Sequence, residues 1–286
     1  MTFGPLISPE WLLAHAGEAD VKIVDGSSRL PGQGKGIDAY LAAHLPGAVY
    51  FDIDVIADKS TGLPHMLPSP EMFAAAVGAF GIRETDRVVV YDDKGFFAAP
   101  RVWWMFRMMG HDRVAVLDGG LPAWIAAGGA TTTAIPEPAA ATYRPGAPRA
   151  QVADAAAIQS AIAGGAKDII DARSAERFSG KAPEIRPGMR SGHMPGAKNL
   201  PYTQLQGPDG RFLDTGRIRA AFEQAGVNLE KPVLASCGSG VTAAVLYLAL
   251  ELIGHEDHAV YDGSWTEWGD ERHDDARFPV VREHVG

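Results

Sequence analysis

The chain repeats one plan twice, and this repetition constrains the fold more than any other feature of the sequence. Gly110-His111 and Gly254-His255 lie 144 positions apart, and Asp118-Gly119 and Asp262-Gly263 have the same spacing. Two further elements match in the same order, with small insertions: Val24-Asp25 with Ile170-Asp171, and His44-Leu-Pro-Gly47 with His193-Met-Pro-Gly196. Such ordered self-similarity predicts a tandem duplication. We therefore expect two domains, residues 1–130 and residues 150–286.

Residues 131–149 separate the two copies and are rich in Pro, Ala and Thr. Prolines at positions 136, 138, 145 and 148 block helix and disfavour a central strand. This segment is predicted to be an extended linker.

Short β-branched runs alternate with longer amphipathic stretches in each copy. Strands are predicted at Lys22–Asp25, Arg87–Tyr91, Val114–Leu117, Asp168–Asp171, Val233–Ser236 and Ala259–Tyr261. Helices are predicted at Pro70–Phe80, Ala99–Met109, Arg217–Ala225 and Val241–Ile253. The pattern predicts an α/β fold in which each domain has a mainly parallel central sheet flanked by helices. In such sheets the chemistry lies at the carboxyl ends of the strands.

Composition excludes several functions. The net charge is −9, which argues against nucleic-acid binding. No apolar run approaches the roughly 18 residues of a membrane span, and the N-terminal residues lack the basic and apolar regions of a secretory signal. A cytoplasmic protein is expected. A single cysteine permits no intrachain disulfide and no multi-cysteine metal site, and no metal or other cofactor is expected.

The single cysteine, Cys237, follows a predicted strand and precedes a predicted helix. The loop reads Cys-Gly-Ser-Gly-Val-Thr, from Cys237 to Thr242. Two glycines allow successive backbone N–H groups to turn inward, and such a nest at a helix N-terminus stabilises an anion. A lone cysteine is more often a buried apolar residue, but this setting favours a nucleophile that carries sulfur as a persulfide.

This hexapeptide resembles the active-site loop of 3-mercaptopyruvate sulfurtransferases, members of the rhodanese superfamily. The tandem plan is similar too, as are Pro100-Arg-Val-Trp-Trp104 and Asp262-Gly-Ser-Trp-Thr-Glu-Trp268. The resemblance implies a catalytic second copy and a non-catalytic first copy. It also implies that the loop binds substrate through Gly238, Gly240, Val241 and Thr242.

The first copy lacks the thiol. An offset of 144 places Asp93 opposite Cys237, in the loop Asp93-Lys-Gly-Phe-Phe-Ala98. An acid at this position cannot perform nucleophilic sulfur chemistry, so the first domain is expected to serve as a scaffold.

The loop composition bears on the sulfur donor. Thiosulfate sulfurtransferases of the superfamily usually have basic residues at the second and third loop positions, whereas Gly238 and Ser239 are neutral. The resemblance implies that Arg177 and Arg186 bind the carboxylate and carbonyl of mercaptopyruvate, a task that suits the guanidinium fork. The alternative for both arginines is an ion pair, with Glu176 and Glu184 nearby in sequence.

The resemblance also implies a proton relay in which Asp54 and His65 act with Ser239. Such a chain could move a proton to or from the substrate. The alternative is that His65 only holds a turn.

These residues predict transfer of sulfur from 3-mercaptopyruvate to Cys237, with release of pyruvate. Because no second cysteine can resolve the persulfide, the acceptor must be external: cyanide, a small thiol or thioredoxin. Thiosulfate as donor and a non-enzymatic sulfur carrier stay open as alternatives. A cysteine phosphatase needs an arginine six positions after the cysteine. This chain has Ala243 there, which argues against a phosphatase.

Overall fold

The computed structural model describes residues 3–282, and these form two compact units. The first unit holds the described chain through Asp58, then Leu67–Ala150 and Gly207–Phe212. The second unit holds Lys59–Met66, Gln151–Gln206 and the described chain from Leu213 onward. The first two and last four residues of the predicted domains lie outside the described range. Within residues 3–282, no helix is long and apolar enough to cross a membrane.

A parallel sheet forms the centre of the first unit. Its strands are β1 (Leu6–Ile7), β2 (Val21–Asp25), β3 (Val49–Tyr50), β4 (Arg87–Tyr91) and β5 (Val114–Leu117). They lie in the order β1-β5-β4-β2-β3, and each neighbouring pair is parallel. The helices are α1 (Pro9–His15), α2 (Gly36–Ala42), α3 (Pro70–Ala79), α4 (Ala99–Met108) and α5 (Gly120–Ala126).

The second unit repeats this arrangement. Its strands are β6 (Val152–Ala153), β7 (Asp168–Asp171), β8 (Lys198–Asn199), β9 (Val233–Ser236) and β10 (His258–Tyr261). The order β6-β10-β9-β7-β8 mirrors that of the first sheet, and all its pairs are parallel. The helices are α6 (Ala155–Gly164), α7 (Ala175–Ser179), α8 (Thr215–Gln224), α9 (Ala243–Leu252) and α10 (Ser264–Trp268), with a 3-10 helix at Tyr202–Leu205.

The strands at the centre of each sheet are buried because helices cover both faces. Every residue of β9 is buried, as are the eight residues from Ala243 to Leu250 of α9. The predicted α/β class with parallel sheets is confirmed, and the predicted strands match the observed ones to within one residue at each end.

The strand register aligns the two copies residue by residue. The pairs Asp25–Tyr91 and Val90–Val116 of the first sheet correspond to Asp171–Ser236 and Ala235–Val260 of the second. The residue after β4 is Asp92 and the residue after β9 is Cys237, so these two occupy equivalent positions. Their carbonyl groups also accept equivalent hydrogen bonds. The Leu121 N–H donates to the Asp92 carbonyl and the Trp265 N–H donates to the Cys237 carbonyl, both at 3.0 Å.

The predicted counterpart of Cys237, Asp93, is therefore wrong by one residue. Helices α4 and α9 do keep the offset of 144, but the first copy has one additional residue between strand and helix. A constant offset counted back from the helix consequently stops at Asp93, one residue short of Asp92. The position still holds an aspartate, and the first copy still lacks the thiol.

Candidate active site

Cys237 lies at the carboxyl end of the central strand β9 and is 2% exposed. Its backbone is fixed on both sides by the start of α10. The Cys237 N–H donates to Ser264 Oγ at 3.1 Å, and the Cys237 carbonyl accepts from Trp265 N–H at 3.0 Å. The Ser264 hydroxyl in turn donates to the Tyr261 carbonyl at 2.7 Å. The cysteine is thus held rigidly where the strand opens into the loop.

Ser264 was not predicted as a site residue, and its backbone is unusual. Its φ of +46° lies in the left-handed region, which is costly for a residue other than glycine. The equivalent residue of the first copy is Gly120, with φ of +55°. Backbone strain of this kind persists where the surroundings demand it, and it is concentrated at functional sites. Aligning the two copies gives a sequence signal, since a serine replaces a glycine where the turn requires positive φ.

The predicted loop residues lie between Cys237 and helix α9. Gly240 has φ of +77°, which turns the chain toward the helix. The helix begins at Ala243 rather than at the predicted Val241. Its N-cap residue, Thr242, makes no side-chain capping hydrogen bond. The N–H groups of Ala244 and Val245 donate to the Val241 and Thr242 carbonyls, at 3.3 and 3.1 Å, and the positive end of the helix dipole suits an anion.

The first copy shows an anion-binding arrangement at the same junction. The Asp92 carboxylate accepts hydrogen bonds from the N–H groups of Lys94, Ala98 and Ala99, at 2.9, 2.8 and 2.8 Å. Burial raises the pKa of Asp92 to about 6, and these hydrogen bonds oppose that rise. A strand–loop–helix junction of this fold therefore holds a carboxyl group through its own amides.

Arg177 lies beside the cysteine loop. A side chain built on Gly238 would begin 3.2 Å from Arg177 Nη2, so the absence of one allows the guanidinium to approach the backbone next to Cys237. Arg177 also forms an ion pair with Glu184, with Nη2–Oε2 at 2.5 Å. The ion pair is therefore formed, and the role of Arg177 in binding the donor stays a prediction.

Glu184 belongs to a buried network. Its other carboxylate oxygen accepts from Arg173 Nη1 at 2.6 Å, and Arg173 also binds the Asp171 carboxylate at 2.7 Å. The Arg173 guanidinium stacks over the Trp265 ring at 4.2 Å. The side chains of Arg173, Asp171 and Glu184 are at most 3% exposed. The role of Glu184 as a bridge between two arginines was not predicted.

Arg186 contacts His65 within the second unit. Arg186 Nη2 lies 3.0 Å from His65 Nε2, and His65 is 6% exposed with φ of +61°. Asp54 belongs to the first unit, in an exposed turn where its N–H donates to the Asp52 carboxylate at 2.8 Å. The relay of Asp54, His65 and Ser239 stays a prediction.

The profile of the rhodanese-like domain matches residues 8–127 and residues 154–271. The chain belongs to the rhodanese family. A 3-mercaptopyruvate sulfurtransferase of Escherichia coli K12 is 40% identical to it over 92% of this chain and 94% of that protein. The mitochondrial thiosulfate/3-mercaptopyruvate sulfurtransferase 1 of Arabidopsis thaliana is 43% identical, over 93% of this chain and 76% of the relative.

A crystal structure of the E. coli 3-mercaptopyruvate sulfotransferase SseA superposes on this rhodanese with a TM-score of 0.83. It shares 36% identity, covering 93% of this chain and 99% of that one. The predicted resemblance to tandem-domain sulfurtransferases of the rhodanese superfamily is confirmed, and so is the predicted enzyme class, a sulfurtransferase.

Proposed function

We propose that this rhodanese moves sulfur from 3-mercaptopyruvate to an external acceptor through a persulfide on Cys237. The observation that carries the proposal is the position of Cys237, at the carboxyl end of β9 and before the N-terminus of α9. The Arg177 guanidinium beside the loop supplies a carboxylate-binding group. The first copy, without a thiol at this position, serves as the non-catalytic domain.

In the first half-reaction the Cys237 thiolate attacks the sulfur of mercaptopyruvate. A sulfur–sulfur bond forms, the carbon–sulfur bond breaks, and its electron pair passes to carbon as the enolate of pyruvate. The proton of the transferred SH group goes to the enolate carbon, which gives pyruvate and leaves Cys237 as a persulfide anion. Arg177 and Arg186 hold the carboxylate and carbonyl of the donor, and a relay through Asp54, His65 and Ser239 carries the proton.

In the second half-reaction an external nucleophile takes the outer sulfur. Cyanide leaves as thiocyanate and regenerates the Cys237 thiolate. A small thiol becomes a persulfide, and the dithiol of thioredoxin releases the sulfur as sulfide when its own disulfide closes. A double-displacement sequence of this kind gives ping-pong kinetics.

Two charge features favour mercaptopyruvate over thiosulfate. Gly238 and Ser239 add no positive charge to the loop, and the charge of Arg177 is matched by Glu184. A monoanionic donor needs less positive charge than the thiosulfate dianion.

The proposed chemistry also requires a reduced thiol on Cys237. This supports a cytoplasmic location, where thiols are kept reduced.

Intact-mass spectrometry after exposure to 3-mercaptopyruvate tests the proposal. We expect an adduct of about 32 Da, one sulfur atom, on the peptide that contains Cys237, together with one pyruvate per adduct. Cyanide should then remove the adduct as thiocyanate and allow further turnover. The variant Cys237→Ser should form neither product while remaining folded. An adduct without turnover by any acceptor would instead favour a sulfur carrier.

Kinetics with the two donors tests the choice of substrate. We expect kcat/KM for 3-mercaptopyruvate to exceed that for thiosulfate under identical acceptor conditions. A higher value for thiosulfate would make the enzyme a thiosulfate sulfurtransferase and would leave the Cys237 chemistry unchanged.

A further inference from the structure

We infer that Glu184 is a specificity-determining residue, which sets the preference for a monoanionic sulfur donor by cancelling the charge of Arg177. This inference rests on the proposed function, because it concerns the donor that reaches Cys237. Glu184 need not touch the donor. Its negative charge acts through space, beside the Arg177 guanidinium that lies against the cysteine loop.

The geometry gives Glu184 a close hold on Arg177. Glu184 Oε2 accepts from Arg177 Nη2 at 2.5 Å and from Nε at 3.2 Å, so one carboxylate oxygen faces the guanidinium edge. The Glu184 side chain is 3% exposed and that of Arg177 is 19% exposed. Solvent therefore screens the carboxylate little, while part of the guanidinium stays accessible to a ligand.

The formal charges of the network sum to zero. Asp171 and Glu184 each contribute one negative charge, and Arg173 and Arg177 each contribute one positive charge. Arg173 is enclosed by both acids and the Trp265 ring, so its charge is used within the network. Arg177 consequently offers the site a directional hydrogen-bond donor with little net positive field.

This arrangement discriminates between donors by charge. A single carboxylate can still bind the exposed part of the Arg177 guanidinium, because hydrogen bonding to a planar fork depends on geometry as well as charge. A dianion such as thiosulfate gains less, since its second negative charge meets the field of Glu184. The acid thus retains the arginine's hydrogen-bonding geometry and removes its excess attraction for dianions.

The test is the ratio of kcat/KM for thiosulfate to kcat/KM for 3-mercaptopyruvate in Glu184→Gln. Glutamine preserves the size of the side chain and removes its charge. We expect this ratio to rise about tenfold relative to the wild-type enzyme. The matched control is Glu176→Gln, which removes an exposed acid from the same region of the chain. Its ratio should stay within about twofold of wild type, because an exposed charge is screened.

A second pair of variants keeps the test decisive if Glu184→Gln fails to fold. The double variant Arg177→Gln/Glu184→Gln removes one charge of each sign and replaces the ion pair with two amides. Compared with Arg177→Gln alone, the double variant should have a donor ratio about tenfold higher. Both enzymes have lost the guanidinium, so this comparison isolates the charge of Glu184 from the position of Arg177.

The outcomes separate this inference from the proposed function. If wild-type enzyme forms the Cys237 persulfide from 3-mercaptopyruvate but the ratio is unchanged in both comparisons, Glu184 is structural and the inference is overturned. A merely structural role would lower kcat/KM for both donors by the same factor. If wild-type enzyme forms no persulfide from 3-mercaptopyruvate, the proposed function itself fails.

Discussion

The two strand-to-helix junctions of this rhodanese differ in the side chain that lies between the strand and the start of the helix. In the first copy, the Asp92 carboxyl group accepts from three backbone N–H groups, two of them at the start of α4. In the second copy the equivalent residue is Cys237, and the N-cap residue Thr242 supplies no side-chain acceptor to α9. The first junction carries its own carboxyl group, whereas the second carries a thiol at the equivalent position.

Under the proposed function, this difference makes the first copy inert and the second reactive. A carboxylate that fills the junction stabilises the helix start but leaves no nucleophile. In the proposed mechanism, a thiol at the same point leaves that stabilisation to a thiolate, a persulfide or the donor carboxylate.

The largest effect is expected when the second junction is converted to the first. Cys237→Asp should abolish sulfur transfer from 3-mercaptopyruvate, a loss of more than about a thousandfold in kcat/KM, because a carboxylate forms no persulfide. The variant should stay folded, since the carboxyl group takes an acceptor role like that of Asp92. Thiocyanate production measures the loss of sulfur transfer, and circular dichroism shows whether the variant is folded.

Cys237→Ser is the control for this conversion, because it removes the thiol without adding an acid. At pH 5 we expect Cys237→Asp to resist urea at least as well as Cys237→Ser. A markedly less stable aspartate variant would mean that the second junction does not accommodate a fixed carboxylate, and the equivalence of the two loops would fail.

The next effect is on stability alone. Asp92→Ala leaves three N–H groups of the first junction without their acceptor, and we expect a loss of about 3 kcal/mol at pH 5. Persulfide formation on Cys237 should change less than twofold. Urea unfolding, read through hydrogen exchange of the β4 peptide, measures the first effect. Loss of persulfide formation in a folded variant would contradict the assignment of Asp92 to stability.

The pH dependence of this variant has a definite sign. The folded-state pKa of Asp92 is raised to about 6, from about 4 in an unfolded chain. The stabilising contribution of Asp92 is therefore fully present below pH 4 and declines as the pH rises to 6. The difference between wild type and Asp92→Ala should shrink across that range by up to about 3 kcal/mol. A difference that grows instead would contradict the raised pKa.

The sequence predicted what is local and repeated. The buried strands were located to within one residue because β-branched runs are read directly from the chain, and the duplication supplied the domain plan. The position of Cys237 in a strand–loop–helix junction followed from the same pattern. Arg177 was named through family resemblance, and the structure places it beside Gly238.

Features that depend on register or on distant contacts were missed. The sequence comparison selected Asp93 rather than Asp92 because a constant offset cannot detect a single additional loop residue. Ser264 holds the Cys237 N–H from 27 residues away. The bridge from Glu184 to both Arg173 and Arg177 depends on side chains that meet only after folding. No periodicity in the sequence encodes such contacts.

A difference between the two copies outside the junctions, at His258, is expected to have a smaller effect on stability. Buried His258 lies at the start of β10, where the register places Val114 in the first copy. Its ring lies 4.1 Å from that of Tyr247 and 5.6 Å from that of His255, with Glu251 3.6 Å from Nε2. Burial, then the neighbouring His255, lowers the pKa of His258 to about 4.

This pKa makes the second unit sensitive to acid. The unfolded chain binds a proton near pH 6.5, so stability is lost as the pH falls from 6.5 toward 4, by at most about 3 kcal/mol. His258→Val, the residue of the first copy, should remove that slope. Urea unfolding at pH 7 and pH 5, followed by hydrogen exchange of β9, measures it. An equal acid sensitivity in the variant would assign the effect to other groups.

The smallest effect concerns the residue that fixes the Cys237 backbone. Ser264→Gly installs the residue of the first copy, which tolerates the positive φ, whereas Ser264→Ala keeps the strain; both remove the hydroxyl that accepts from Cys237 N–H. We expect kcat/KM for 3-mercaptopyruvate to fall about three- to tenfold in both, the size of one hydrogen bond. The alanine variant should also be about 1 kcal/mol less stable than the glycine variant, because only glycine relieves the left-handed backbone.

Stopped-flow measurement of persulfide formation gives the kinetic effect of these variants, and urea unfolding gives the stability effect. Wild-type rates in Ser264→Ala would show that the hydroxyl does not position Cys237, and a slow Ser264→Gly beside a normal Ser264→Ala would assign the positioning to the strained backbone instead.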